Sequence, residues 1–222
     1  TNTYSQLLNI TSKVNQAYAV AWKYDYMLFR GIAMNGLPFL KQSCSVEHYI
    51  VKGKRVNSTR ITEGTAPQPA PDSRATYNKV AILELVLTDP AYRGRFDRLL
   101  ILDADAMIYD FSRDIGTFFE NQTFVVVAHK TNHSKHAGTG SINVGVTLWN
   151  LRNPLTPMML ELWKDMCVKR ILDGRNDDDQ APLQSILKER LDQRRRDQVV
   201  YAISDEFEYG RGLFVKHFIR LN

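Results

Sequence analysis

The segment Arg98–Asp110, RLLILDADAMIYD, decides the fold that the sequence predicts. Its run Leu99–Leu102 is too short and too uniformly apolar for an amphipathic helix. It indicates a strand buried on both faces of a parallel sheet covered by helices. Asp103 and Asp105 follow at the carboxyl end of this strand, where open α/β sheets bind their ligands, and both can project to the same side. Because neighbouring carboxylates repel each other, we expect a positive partner, and a hard divalent cation carrying a diphosphate fits best.

An Asp-x-Asp pattern alone is weak evidence for a metal site. The sequence contains a second one at Asp177–Asp179, just before a predicted helix over Ala181–Leu191. Aspartates there are explained equally well as helix caps or as partners of the helix dipole. The position of Asp103 and Asp105 directly after a buried strand is what favours a functional role for that pair.

Composition places the chain among globular proteins with a sizeable core. It has 222 residues, of which 44% are hydrophobic, and a formal net charge of +5. The basic residues are scattered except at Arg194–Arg196, so the modest charge suits a small anionic substrate as well as nucleic acid. Of these two, we expect the small substrate and no nucleic-acid partner. No apolar run approaches the roughly 18 residues of a membrane helix, and no signal peptide is visible. A membrane anchor, if one exists, would lie outside residues 1–222, which we expect to be a trimmed part of a longer chain.

Four Asn-x-Ser/Thr sequons, at Asn9, Asn57, Asn121 and Asn132, are a mild excess over chance. They favour the lumen of the secretory pathway, above all the Golgi, with the cytoplasm as the alternative. Cys44 and Cys167 would be able to pair there, but two free buried thiols are equally ordinary, and the sequence leaves both readings open.

The remaining patterns predict helices and strands on both sides of the central segment. Thr11 and Ser12 can cap the first helix, with Val14, Ala17, Tyr18 and Ala21 on one side of it. The stretch 52–74, rich in Gly, Pro, Ser and Thr, is expected to be a long mobile loop, either a lid or an idle insertion. The predicted helices cover 11–22, 76–87, 112–119, 156–172 and 181–191, and the predicted strands cover 26–29, 47–51, 99–102, 124–128, 142–149, 199–203 and 213–218.

Other polar residues in these elements have both ordinary and functional interpretations. Lys79 on a first helical turn is either a solvated lysine or a phosphate contact. His217 in the last strand has the ordinary interpretation of a core histidine. Gly145 inside a strand indicates close approach of a ligand or another backbone. His129, His133 and His136 match no strong zinc pattern.

Five motifs in order resemble the retaining GT-A glycosyltransferases. The resemblance is closest to family 34, which includes galactosyl-, mannosyl- and xyloglucan xylosyltransferases, and extends to the glycogenin-like family 8. The segment from Asn15 to Tyr26 also looks like the family 34 opening, although Ala21-Trp22 replaces its usual His-Gly. The five motifs are Lys79 on a helix, Leu102–Asp105, Asn143–Gly145, Asp179–Gln180 and His217–Phe218.

The resemblance implies an α/β fold, a single GT-A (Rossmann-like) domain over 1–222, with a mostly parallel central sheet flanked by helices. It implies that Asp103 and Asp105 bind Mn²⁺ (or Mg²⁺) and the diphosphate of a sugar nucleotide, with Asp105 the more direct ligand. His217 would complete the metal site.

The same resemblance assigns the donor-sugar side of the site. Asn143 and Gly145 would border the donor sugar, and Asp179 and Gln180 would lie beside its anomeric carbon. Lys79 would be the basic residue near the diphosphate. These roles imply metal-dependent, retaining transfer of a hexose or pentose from a nucleotide-diphosphate sugar to a glycan or other hydroxyl acceptor.

Two departures from the family pattern keep alternatives open. Only Tyr4–Ile10 is available for the usual nucleotide-gripping first strand, and only Lys216 and Arg220 for a basic residue near the end. The alternatives are a catalytically degenerate domain that binds carbohydrate or nucleotide sugar, and a sugar nucleotidyltransferase. For the transferase we expect the acceptor to attack from the leaving-group face, with a covalent intermediate on Asp179 as the other route.

Overall fold

Nine strands and four α-helices lie within the part of the chain that the computed structural model describes, namely 2–32, 43–49, 55–61, 76–119, 124–130, 142–175, 178–191, 198–203, 206–207 and 212–218. The helices are α1 (Asn2–Trp22), α2 (Asn78–Thr88), α3 (Thr156–Leu172) and α4 (Gln180–Ser185). The strands are β1 (Tyr26–Ile32), β2 (Ser43–Tyr49), β3 (Arg55–Ile61), β4 (Arg98–Leu102), β5 (Ala106–Ile108), β6 (Val126–Lys130), β7 (Ile142–Asn150), β8 (Val200–Ile203) and β9 (Val215–His217). A 3₁₀ turn covers Ile115–Phe119, and a π-helical segment, Ile186–Arg190, continues α4.

The central sheet has the strand order β4-β7-β6-β8. Strand β7 runs antiparallel to both β4 and β6, whereas β6 and β8 are parallel. Three of these four strands therefore share one direction, which confirms the predicted α/β fold with a mostly parallel sheet. The reversed strand, β7, is central, and eight consecutive residues of it are buried, as its apolar sequence INVGVTLWN favours.

Two hydrophobic clusters cover the two faces of this sheet. On one face, α2, α3 and α4 pack against it, and the rings of Trp149 and Trp163 stack 5.6 Å apart. On the other face, Tyr18 of α1 packs with residues of β5 and β9. Leu99 of β4 contacts the first cluster while Leu100 and Leu102 contact the second. The predicted strand is confirmed, but β4 is an end strand of this described sheet, pairs antiparallel with β7, and has Ile101 as its one fully buried residue.

A second sheet contradicts part of the loop expected over 52–74. Strands β1, β2 and β3 form an antiparallel sheet in which Arg55–Ile61 pairs with β2. The polar composition of this segment suggested a loop, but pairing supplies its backbone groups with partners, and its β-branched residues favour a strand. The remainder of 52–74 lies outside the described residues, as do His133, His136, Asp177, Arg194–Arg196 and Arg220.

Helix α1 differs from its prediction in length and in its buried face. It begins at Asn2, so Thr11 and Ser12 lie inside the helix and do not cap it. Thr11, Ser12 and Asn15 are buried, whereas Ala17 and Ala21 are exposed. The apolar face predicted from the pattern is therefore correct only in part, since Tyr18 is buried as predicted. The buried face also contains polar residues, and Thr11 and Asn15 bind backbone groups of another segment.

Two smaller predictions concern the helices. Cys167 of α3 is a buried free thiol, which is one of the two interpretations that the sequence left open. Cys44 lies in β2, and its side chain is not among the described ones.

No helix in the described ranges combines the length and apolarity needed to cross a membrane.

Candidate functional site

The two aspartates of the Asp-x-Asp motif lie in the turn between β4 and β5. The Asp103 amide donates to the carbonyl of Gly145 at 2.7 Å, and the Ala106 amide donates to the carbonyl of Asp103 at 3.0 Å. These bonds close a tight turn at the carboxyl end of β4. The turn keeps the Asp105 side chain almost buried while that of Asp103 is about one-third exposed.

Pairing between β5 and β9 brings His217 to this turn. Ala106 is opposite His217 in the register, and the Phe218 amide donates to the carbonyl of Asp105 at 2.8 Å. As a result, Nε2 of His217 lies 2.9 Å from Oδ1 of Asp105 and 3.6 Å from Oδ2 of Asp103. His217 is buried and bonded to Asp105, as a core histidine would be, and its ring also lies beside a second carboxylate, that of Asp103.

A bulge in β7 supplies the floor beneath these side chains. Ala128 of β6 is opposite Thr147, but the next residue, His129, is opposite Asn143, so the register of β7 shifts here. Bulges redirect side chains and are common beside active sites. Within this bulge Oδ1 of Asn143 accepts from the Gly145 amide at 2.8 Å.

Gly145 leaves room for the metal-site side chains. A β-carbon at this position would lie 2.2 Å from Cε1 of His217 and 2.9 Å from Oδ2 of Asp103. The sequence predicted that a ligand or another backbone segment approaches Gly145 closely. The groups that approach it are instead the side chains of His217 and Asp103, two of the candidate metal ligands. Any other residue at position 145 would have to displace His217.

Lys79 connects Asp103 of the Asp-x-Asp turn to Asp179, which precedes α4. Its Nζ lies 2.8 Å from Oδ1 of Asp103 and 2.9 Å from Oδ2 of Asp179, and the residue is only 6% exposed. Burial lowers the pKa of Lys79, but the charges of the two aspartates outweigh burial and leave that pKa above its usual range. The interpretation of Lys79 as a solvated helix lysine is therefore wrong.

Asp179 is the most buried acid of the group. Burial raises its pKa and the charge of Lys79 opposes this, while the charge of Asp103 adds to the rise, so that the pKa reaches about 7. The backbone of Asp179 accepts a hydrogen bond from Nε1 of Trp163 at 2.8 Å. The helix-capping bonds come from Asp178, whose Oδ1 accepts from the amides of Gln180 and Ala181, so the cap interpretation does not account for Asp179.

Gln180 joins the first turn of α4 to the bulge. Its Oε1 accepts from Nδ2 of Asn143 and from the Val144 amide, both at 3.2 Å. All eight residues that sequence reasoning assigned to the site thus belong to one connected set of contacts. The eight are Lys79, Asp103, Asp105, Asn143, Gly145, Asp179, Gln180 and His217.

Sequence reasoning missed two contributions to this region. His129, which it considered only for zinc, is buried at the carboxyl end of β6 opposite Asn143. Thr11 and Asn15 of α1 contact the turn that follows Asp103. The position of His129 at a strand end was an available signal, whereas nothing in the sequence of α1 indicated contacts about 90 residues away.

The donor set of this site fits a divalent cation. Within the described residues, Asp103, Asp105 and His217 each offer a ligand atom, and these atoms lie within 4.8 Å of one another. Lys79 contacts two of the three carboxylates, Asp103 and Asp179, while Asp105 contacts His217, and a cation between Asp103 and Asp105 would compensate their negative charge. Carboxylate oxygens with one imidazole nitrogen suit Mn²⁺.

Comparisons with known proteins extend this result at the level of the fold. No protein-family model and no curated protein matches the sequence. One similar solved structure is a glycosyltransferase involved in glycosylation of the major capsid of PBCV-1, with a TM-score of 0.51 and 10% identity, over 89% of this chain and 77% of that chain.

Two other similar structures have lower TM-scores. Mouse xyloside xylosyltransferase 1 has a TM-score of 0.36 and 17% identity, over 61% of this chain and 54% of that one. The WbbM bifunctional glycosyltransferase has a TM-score of 0.35 and 11% identity, over 60% and 25%. The strand order, the Asp-x-Asp turn and the PBCV-1 comparison together show that this chain has the GT-A fold of glycosyltransferases.

Proposed function

We propose that this protein is a metal-dependent retaining glycosyltransferase, which moves a hexose or pentose from a nucleotide-diphosphate sugar to a glycan or other hydroxyl acceptor. One observation supports the proposal above all others: in a GT-A fold, Asp103, Asp105 and His217 present three ligand atoms to one point. Mn²⁺ or Mg²⁺ held there would stabilise, as a Lewis acid, the negative charge that develops on the departing diphosphate.

The residues around Lys79 divide the work of binding and orientation. Lys79 holds Asp103 and Asp179 in fixed positions on either side of its ammonium group. Asn143 and Gln180 bond to each other beside Asp179 and present polar groups for the hydroxyls of a donor sugar. Such a fixed polar surface orients the donor without reorganisation during the reaction.

We assign Asp179 to electrostatic stabilisation of the sugar's oxocarbenium-like transition state. Its carboxylate is paired with Lys79, and this ion pair lowers its nucleophilicity. Attack by the acceptor from the leaving-group face is therefore our preferred route. Mass spectrometry of the enzyme incubated with donor alone checks this, because a sugar adduct on Asp179 would establish the covalent route.

A panel of UDP- and GDP-sugars, assayed with Mn²⁺, with Mg²⁺ and with EDTA, tests the proposal. We expect metal-dependent donor hydrolysis or transfer that Asp105→Asn abolishes. Asp97→Asn is the matched control. Asp97 lies directly before β4, at the end of that strand opposite to the Asp-x-Asp turn, and forms an exposed ion pair with Arg152. Saturable binding without turnover would favour a degenerate binding domain, and synthesis of a sugar nucleotide would favour a nucleotidyltransferase.

The lumen of the secretory pathway, the Golgi above all, is our proposed location for this activity, on the strength of the four sequons.

A further inference from the structure

One face of α1 carries a polar stripe that binds the segment following Asp103. Its members are Thr11, Asn15, Tyr18 and Trp22, whose spacing of four, three and four residues places them on one side of the helix. Each uses a side-chain polar atom to bond to the backbone of segment 104–115. A helix face that packs only for burial would be apolar, so this stripe is specific for that backbone.

Asn15 takes the place of a neighbouring strand at the free edge of β5. Its Nδ2 donates to the carbonyl of Ala106 at 3.0 Å, and its Oδ1 accepts from the Ile108 amide at 2.9 Å. These two backbone groups point away from β9, since the residues that flank β9, Phe214 and Phe218, bond to Tyr109 and Asp105. Asn15 is 5% exposed, so neither group has ready access to water.

Thr11 contacts the residue between the two aspartates. Its hydroxyl lies 2.7 Å from the carbonyl of Ala104 and 3.0 Å from that of Leu7, and Thr11 is 2% exposed. The Ala104 carbonyl belongs to the peptide that joins Ala104 to Asp105. Thr11 therefore contacts the backbone of the turn that carries both carboxylates.

We propose that Thr11 and Asn15 are positioning residues of the metal site, which set its affinity for a divalent cation without touching the cation. The inference rests on the proposed function, because it assumes that Asp103, Asp105 and His217 bind that cation. Thr11 fixes the turn that carries both aspartates, and Asn15 fixes β5, whose pairing with β9 places His217. Residues that orient metal ligands commonly change metal affinity by about 10- to 100-fold when replaced.

Titration of the protein with Mn²⁺ alone, followed by the EPR signal of the free ion, tests the role of Thr11. We expect Thr11→Val, which keeps the shape and loses the hydroxyl, to weaken Mn²⁺ binding at least about tenfold. Thr11→Ser keeps the hydroxyl and should restore binding. Thr88→Val is the control for the loss of a helical hydroxyl, because the exposed Thr88 hydroxyl donates to the carbonyl of Glu84, also four residues earlier, about 13 Å along α2 from Lys79.

The outcomes of this titration are distinguishable. If the wild-type protein binds Mn²⁺ and Thr11→Val binds it equally well, the positioning role is overturned while the proposed function stands. If Thr88→Val weakens binding as much as Thr11→Val, loss of stability explains both, and the positioning role is again overturned. If the wild-type protein does not bind Mn²⁺, the proposed metal site is overturned, and both the positioning role and the proposed function are overturned with it.

Hydrogen exchange tests the role of Asn15 without metal. In Asn15→Leu the Ile108 amide loses its acceptor, so we expect it to exchange at least about tenfold faster. The Tyr109 amide, which donates to the carbonyl of Phe214, should stay protected and serves as the internal control. Unchanged exchange at Ile108, or equal acceleration at both amides, would contradict a specific contact between Asn15 and β5.

Discussion

Gly145 and His217 are in such close contact that a β-carbon on the glycine would lie 2.2 Å from Cε1 of the imidazole. Real β-carbons essentially never come this near to a neighbouring atom, so a side chain at position 145 must move the ring. Since His217 is a candidate cation ligand, the backbone at Gly145 and the metal site are directly coupled.

We therefore expect Gly145→Ala to weaken Mn²⁺ binding at least about tenfold, as measured by titration with the ion alone. Gly94→Ala is the control for a glycine substitution. Gly94 has a φ of +74° with no neighbour within 4 Å of an added β-carbon, so its replacement strains the backbone away from the site. Equal Mn²⁺ affinities for Gly145→Ala and the wild type would show that His217 is not a ligand.

Replacing Lys79 should cost more stability than breaking a more exposed ion pair. Lys79→Met leaves Asp103 and Asp179 without their shared cation, and we expect the free energy of unfolding to fall by about 3–5 kcal/mol in EDTA. Lys164→Met, which breaks the partly buried pair with Glu84 between α2 and α3, is the matched variant and should cost less. Urea unfolding measures both, and equal losses would argue against the central position of Lys79.

The buried Asp179 should make stability depend on pH between about 4 and 7. Burial, opposed by Lys79 and reinforced by Asp103, raises its pKa in the folded state to about 7, against 3.8 as the ordinary value. The folded state therefore holds more protons in this interval, so the contribution of Asp179 is present below about pH 4 and is lost as the pH rises.

Unfolding free energies of wild-type protein and Asp179→Asn, measured from pH 4 to pH 8 in EDTA, check this dependence. The wild type should lose stability relative to the variant as the pH rises through about 7. Parallel pH profiles for the two proteins would mean that Asp179 is ionised throughout.

Cys167 should be unreactive in the folded protein. Its thiol is completely buried, and burial raises its pKa well above the usual range. Iodoacetamide at pH 8 should label Cys167 only after denaturation, as peptide mass spectrometry would show separately from Cys44. Rapid labelling of the native protein at Cys167 would contradict the packing of α3.

Much of the fold and of the site follows from local sequence. The run Leu99–Leu102 predicted a strand, because a short run without polar positions leaves neither face for water. The strand predicted over 142–149 is present as β7 and is buried although it contains Asn143 and Thr147. The order of the motifs from Lys79 to His217 predicted eight site residues, and all eight belong to one connected set of contacts.

The parts that could not be predicted depend on contacts distant in sequence. Strand β9 lies within the strand predicted over 213–218, but the three residues of β5 are too few for a pattern, and no local signal predicts the pairing of β5 with β9 that brings His217 to the aspartates. The polar stripe on α1 could not be predicted from the sequence for a related reason. Thr11 and Asn15 fit the surface of an amphipathic helix, and only the backbone of segment 104–115 makes them buried.

Anomalous scattering from Mn²⁺ in crystals of the protein would locate the cation itself. We predict one strong difference peak that lies about 2.0–2.6 Å from a carboxylate oxygen of Asp105, a carboxylate oxygen of Asp103 and Nε2 of His217. A peak that touches the aspartates but not His217, or no peak between them at saturating Mn²⁺, would show that these three side chains do not share a cation.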